Sequence, residues 1–164
     1  MSYHRMHEEE VLKSSTRSIM VKLAKERVYT TVSELEEELS LSKSAVLWHL
    51  GLLEARGKLK SRVIAGKRIY YLPEMEFEAI LCYLMAYHVR RKIVKLVLKG
   101  MRSISSIALE LKMSKSTVHR HVSYLLSYGV LKRKRGELLV SKRANVKLPM
   151  LLSSRYWSAR GLQR

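Results

Sequence analysis

Two stretches decide the fold, Leu41-Ser-Lys-Ser-Ala-Val46 and Met113-Ser-Lys-Ser-Thr-Val118, because the second repeats the first at an offset of 72 residues. The match extends well beyond the hexapeptide, as expected of an internal repeat. Laying 32–60 over 104–132 pairs Ser33 with Ser105, Glu38 with Glu110, Leu39 with Leu111, Val46 with Val118 and His49 with His121. It also pairs Leu53 with Leu125, Gly57 with Gly129, Leu59 with Leu131 and Lys60 with Lys132. With the three Ser-Lys-Ser positions this makes 12 identities in 29 pairs, so the chain reads as one unit used twice. Upstream, a one-residue shift aligns Met20-Val-Lys-Leu23 with Ile93-Val-Lys-Leu96.

Each copy has the same local grammar. In the first, Ile19 and Leu23 predict a helix over about Thr16–Lys25, with a break near Val28 to Thr30. Thr31 caps the next helix, with Glu34 three residues on as its reciprocal partner. Val32, Leu35 and Leu39 then share a face. Ser42 caps a third helix from Lys43 to about Arg56, with Val46, Leu50 and Leu53 inward, and Gly57 supplies the left-handed residue that ends it. Two alternating runs, Lys58–Ile64 and Lys67–Leu72 about an Ala65-Gly66 turn, read as a β-hairpin. The second copy predicts helices Val89–Lys99, Ile104–Lys112 capped by Ser103, and Lys115–Tyr128 capped by Ser114 and closed by Gly129. Its hairpin runs Val130–Lys134, Arg135-Gly136, Glu137–Ser141. The fold class is mainly α with small β-hairpin wings, a tandem winged helix-turn-helix, whose third helix suits the major groove and whose hairpin lies along a phosphate backbone.

The run from Ser42 to Leu59, SKSAVLWHLGLLEARGKL, resembles the recognition helix and wing entry of the ArsR/MarR superfamily of winged-helix transcription regulators, and Ser114 to Leu131 resembles the same pattern. The resemblance covers most of 16–72 and 89–142. It implies that the first turn and outward face of each third helix touch bases. Those positions are Lys43, Ser44, Leu47 and Trp48 in the first copy, and Ser114, Lys115, Ser116, Thr117, His119 and Arg120 in the second. The paired cysteines of the metal-sensing branch are missing.

Charge points the same way. The chain has 164 residues and carries 32 Lys/Arg against 14 acids, a formal +18. Residues 1–73 hold 13 cations and 9 Glu, or +4, and residues 74–164 hold 19 and 5, or +14. A polyanion is the expected partner, with DNA, RNA and an anionic membrane surface as candidates. Every acid is Glu, so Asp-built sites for metal-assisted phosphoryl transfer lose their usual ligands. A single cysteine, Cys82, excludes an internal disulfide framework and Cys-pair metal sites, and fits a reducing compartment. Met1–Glu10 lacks the apolar stretch of a secretory signal, and the apolar run Ala79–Ala86 falls short of the roughly 18 residues a membrane helix needs. The expectation is a cytoplasmic, nucleoid-associated protein. Scarce amides among many Lys, Arg and Glu also fit a thermophile composition.

The second wing, Lys132-Arg-Lys-Arg135, sets four cations about a tight turn and reads as a phosphate contact. On the first wing Lys67 and Arg68 follow the turn, and contact and plain solvation stand even. Glu34, Glu36, Glu37 and Glu38 would oppose DNA unless they point away as a solvated face. Leu47 and Trp48 replace the polar residues usual at groove-facing positions, so the first unit is either the poorer DNA reader or faces a protein. His49 and His121 occupy equivalent sites, which indicates an architectural role. His119 and His121, two apart, cannot chelate on one helical face. Cys82 sits in an apolar stretch and reads as a buried, inert thiol. No nucleophile–base pair or Gly-rich phosphate loop is present, so neither enzyme activity, cofactor, metal nor small-molecule ligand is expected.

The domain reading is a flexible N-terminus 1–15, a winged-helix unit 16–73, a linking helix 74–88, a second unit 89–142, and a basic segment 143–164 that is either a docking helix or a tail. The linking helix has apolar residues on two faces and is a candidate homodimer contact. The function expected is double-stranded DNA binding as a sequence-specific transcription regulator, using helices 43–56 and 115–128. Two alternatives stay open: a non-specific architectural DNA coat, and a winged-helix protein-interaction adaptor.

Overall fold

The computed structural model describes residues 14–153 and 157; the expectation of a flexible terminus therefore falls, apart from Ser14 and Ser15, outside the described residues. The chain divides into two units, one ending at Ala79 and one beginning at Ile80.

The first unit is built from α1 (Ser15–Arg27), α2 (Val32–Leu39), α3 (Lys43–Ala55), β1 (Lys60–Ile64) and β2 (Lys67–Tyr71). The boundaries follow the capping residues. The Thr31 hydroxyl accepts from the Glu34 amide and the Glu34 carboxylate accepts from the Thr31 amide, a complete capping box. Ser42 accepts from the Ala45 amide at the start of α3. Gly57, at φ 66°, takes the left-handed conformation after that helix. β1 and β2 pair antiparallel with Lys60 opposite Tyr71 and Ile64 opposite Lys67. Ala65 and Gly66, both at positive φ, form the two-residue turn that matches the twist of the strands. Thr30 exchanges both backbone bonds with Tyr70, at 2.9 and 2.8 Å, tying the α1–α2 connection to the hairpin. Met20, Leu23, Ala24, Leu35, Val46, Leu50, Leu53, Leu59 and Tyr70 form one buried cluster, so the apolar faces of all three helices converge under the hairpin.

The second unit contains α5 (His88–Leu98), α6 (Ile104–Leu111), α7 (Lys115–Ser127), β3 (Leu131–Lys134) and β4 (Glu137–Val140), followed by α8 (Lys142–Leu151). Ser103, Ser114 and Ser141 each cap a helix by accepting from the amide three residues on. Gly129 closes α7 at φ 70°, as Gly57 closes α3. Lys132 stands opposite Leu139 and Lys134 opposite Glu137. The Leu138 amide donates to the Arg102 carbonyl at 2.9 Å, at the position where the first unit has its Thr30–Tyr70 bridge. Ile93, Val94, Val97, Ile107, Val118, Val122, Leu125, Leu131 and Leu138 are buried. The fold is thus mainly α with small antiparallel hairpins, a winged helix-turn-helix architecture.

One element differs from its expected bounds. The linking helix is not continuous over 74–88: a 3-10 turn at Pro73–Met75 leads into α4 (Glu76–Met85), and Tyr87 is extended before α5 begins. The cause is a side chain. The Arg91 guanidinium donates to the carbonyls of Met85 and Ala86, at 2.6 and 3.0 Å, satisfying terminal acceptors that a continuous helix would have bonded internally. Periodicity alone merges the two helices because apolar residues continue through the break. Leu81, Cys82, Leu84 and Met85 are buried within the single chain. Beyond the hairpin, the first part of the basic segment is helical, with Ala144, Leu148 and Leu151 inward. The Trp157 indole N–H donates to the Leu151 carbonyl at 2.7 Å. Arg155, Arg160 and Arg164 lie outside the described residues.

Candidate nucleic-acid interface

The local cause of the site is the same in both units. A serine cap fixes the start of the third helix, its apolar side locks onto the core, and the opposite side is left to solvent. On α3 this leaves Lys43, Ser44, Leu47 and Trp48 exposed, with 43% of Leu47 and 61% of Trp48 accessible. On α7 it leaves Lys115, Ser116, His119 and Arg120 exposed, with Thr117 half-buried. Ser114 is committed to its capping role, and its hydroxyl also lies 2.8 Å from that of Thr117 and 3.1 Å from that of Ser116. The outward surface of the third helix is therefore polar and cationic in the second unit and partly apolar in the first.

The wings differ in a way that counting cations misses. On the first, the Arg68 guanidinium donates to the Ser61 hydroxyl at 2.9 Å, which in turn donates to the Glu54 carboxylate at 2.6 Å. Arg62 lies 3.7 Å from Glu76, and the Tyr71 hydroxyl donates to that same carboxylate at 2.9 Å. Burial and this carboxylate push the Tyr71 hydroxyl up to about 12. Lys67 is exposed beside them. On the second wing Lys132, Arg133, Lys134 and Arg135 are all exposed, and among the described residues none is within ion-pair distance of a carboxylate. The Arg133 guanidinium donates to the Gly136 carbonyl at 3.2 Å, which stiffens the turn without cancelling its charge.

The Glu cluster of α2 is partly consumed locally. Glu34 completes the capping box, and Glu38 accepts from Arg27 at 2.7 Å. Among the described residues, no three His, Cys or Glu side chains converge on a possible metal site, and no helix is long and apolar enough to cross a membrane.

A pair of residues behind each recognition helix was not singled out by motif. Arg17 on α1 and Arg90 on α5 are both buried, at 8% and 3% exposure, and each is the third residue of its helix. Each acts on the histidine at the seventh position of the recognition helix. Burial, then the Arg17 charge, lowers the His49 imidazole below its ordinary range. Burial, then Arg90, Arg120 and His88, lowers that of His121. The signal was in the repeat: at the offset that aligns Met20-Val-Lys-Leu23 with Ile93-Val-Lys-Leu96, Arg17 falls on Arg90.

The comparisons with known proteins agree with this geometry and localise it. Residues 88–133, from the start of α5 into the second wing, match the family described as bacterial regulatory protein, arsR family. The chain is also 26% identical, over 129 residues, to an HTH-type transcriptional regulator of Methanocaldococcus jannaschii. That match takes in 79% of this chain but only 33% of the relative, so the chain spans about a third of that protein's length. Among solved structures it is similar to the mRNA-binding domain of elongation factor SelB from E. coli, at 15% identity and a TM-score of 0.34, over 79% of this chain and 99% of that one. A likeness of that size carries no functional argument. α5, α6, the Ser114-capped α7 and the wing form a winged helix-turn-helix whose residues 88–133 are similar to the arsR family of bacterial regulatory proteins.

Proposed function

We propose that this chain is a DNA-binding transcription regulator in which the second unit does most of the binding. The observation that carries the reading is the uncompensated cationic surface of α7 and the second wing, with α7 and the start of the wing inside the segment that matches the regulator family. Lys115, Ser116 and Thr117 open the recognition helix toward base edges together with His119 and Arg120, and Lys132, Arg133, Lys134 and Arg135 hold phosphates. Lys43, Ser44, Trp48, Lys67 and Arg68 form the weaker counterpart on the first unit. Sequence-specific reading falls to Arg120, whose forked donors suit a guanine edge.

Duplex titration across a salt series tests this. With roughly six to eight phosphates neutralised, log K against log salt slopes at about −5 to −7. A flat salt response refutes it. A genome-wide footprint separates discrete operators from an architectural coat.

The second reading, a protein contact on the first unit, is favoured by the exposure of Leu47 and Trp48. It predicts that Trp48→Ala leaves duplex affinity unchanged and abolishes a protein partner. A homodimer through residues 74–88 would place the same α7 from two chains one helical turn apart on an inverted repeat. The burial of Leu81, Leu84 and Met85 within one chain leaves little apolar surface there to pair, which favours a monomer on an asymmetric site. Sedimentation at micromolar concentration decides, since a single 19.1 kDa species at all concentrations excludes the dimer.

A further inference from the structure

Arg90 is the least ordinary side chain in the second unit. It is 3% exposed, and neither its Nε nor its Nη1 has a hydrogen-bond partner. Its Cζ lies 4.2 Å from the ring centre of Tyr87 and 5.1 Å from that of Tyr124, so the charge is held between two π-faces, and no acid among the described residues forms an ion pair with it. Burying a cation without a counter-charge is expensive, and two tyrosine faces recover only part of that cost. Beside it, the Nδ1 of His121 is also buried without a partner. Two further groups act on that imidazole, Arg120 on the outward face of α7 and His88 at the first position of α5. Tyr87, the residue over which Arg90 is stacked, is itself the N-cap of α5 and provides no side-chain cap, so the positive end of an 11-residue helix stays open there. Unsatisfied donors, a positive helix end and the absence of any carboxylate among these groups describe a receptor for an anion with several acceptor oxygens.

We infer that His88, Arg90 and His121 form a phosphate-binding site at the N-terminus of α5, distinct from Arg120, from the first turn of α7 and from the wing. Arg90 and His121 supply the unsatisfied donors, and the exposed His88 forms the rim. The phosphate group has two possible sources, a diester of the DNA backbone flanking the groove that Arg120 enters, or a free phosphate. The first source rests on the DNA reading above, and the second does not.

The test follows the ring signals of the histidines by NMR in the full chain, assigned with His121→Gln and His88→Gln, during separate titrations with a short duplex and with inorganic phosphate at constant ionic strength. A bound phosphate favours the protonated imidazole, so the His121 titration midpoint rises when the site is filled. A rise with duplex and not with inorganic phosphate identifies the backbone as the source. A saturable rise with inorganic phosphate alone identifies a free phosphate, and this outcome upholds the site even if no duplex binds. If duplex binds with its steep salt slope and the His121 midpoint does not move with either titrant, the site is refuted and the DNA reading stands. If neither titrant binds, both are refuted. In the backbone case Arg90→Gln, which removes the charge, lowers the salt slope by about 0.9, the increment for one phosphate. An unchanged slope in a variant that melts like the parent overturns the backbone assignment, and His121→Gln serves as the same measurement if Arg90→Gln does not fold.

Discussion

The two units of this chain show how one local grammar yields two surfaces. Both have a serine-capped third helix, a glycine at its end and a two-residue turn at positive φ. In the first, two cations of the hairpin are held, Arg68 by Glu54 through Ser61 and Arg62 by Glu76, while Lys60 and Lys67 stay exposed. In the second, the corresponding hairpin has four exposed cations and no ion pair among the described residues. Positions 47 and 48 on α3 are Leu and Trp, and their equivalents on α7 are His119 and Arg120. A basic residue on a hairpin is thus no measure of affinity for phosphate; what counts is whether a carboxylate from the next element has already claimed it.

The largest expected effect tests that difference directly. Replacing Lys132, Arg133, Lys134 and Arg135 together with Ala flattens the salt dependence of duplex binding by about 3 to 4 in log–log slope. The Lys67→Ala, Arg68→Ala pair on the first wing changes it by less than about 1. Equal losses in a salt series would break the contrast.

Arg120→Ala comes next. It loses about 1–3 kcal/mol on a preferred site, relaxes discrimination at one base pair and leaves random duplex nearly unaffected. Competition assays with single-base operator variants check this, and equal losses on specific and random duplex would favour an architectural coat.

A smaller effect concerns the backbone break after the first helix of each unit. Val28 stands at φ 72°, where a β-branched residue is strained, and at the 72-residue offset the second unit has Gly100 at φ 105°. Val28→Gly therefore stabilises the first unit by about 1 kcal/mol. Gly100→Ala destabilises the second by a similar amount, although a Cβ there meets no atom within 4 Å. Thermal melts of the two variants moving in the same direction would show that the breaks are not equivalent.

The mildest effect is on pH dependence. The His49 and His121 imidazoles are held below their ordinary range, chiefly by burial and then by the neighbouring cations. As pH falls through about 6.5 the unfolded chain takes up these protons before the folded one, so stability is full above that pH and declines below it. His121→Gln flattens the decline in melts between pH 7.5 and 5, and a steeper decline would reverse the sign of the argument. His121 faces two arginines, Arg90 and Arg120, and His49 faces Arg17 alone, so the second unit contributes more of the effect.

Much of the fold was legible because its signals are local. The Thr31–Glu34 capping box, the serine caps, Gly57 and Gly129 act within a few residues of where they stand in the chain, and the helices and hairpins begin and end near them. The junction at Ala86–Tyr87 was not legible. It depends on Arg91 folding back onto the carbonyls of Met85 and Ala86, while the apolar pattern runs on regardless. The exposed rows of α3 and α7 could be read from helical periodicity and the stronger second wing from its run of cations, but the pairing of Arg68 and Arg62 with Glu54 and Glu76 could not.

The sequence by itself determined the repeat, the order of elements in each unit, the outward faces of both third helices and the cationic bias of the second half, since each is a matter of spacing or composition along the chain. Tertiary structure alone decided which charges are spent. Glu54 reaches the first wing through Ser61, seven residues away. Arg17 comes to act on His49, and Arg90 on His121, because helices joined by loops pack side by side. The electrostatics of the surface depend on distances across that packing, and no spacing along the chain encodes them.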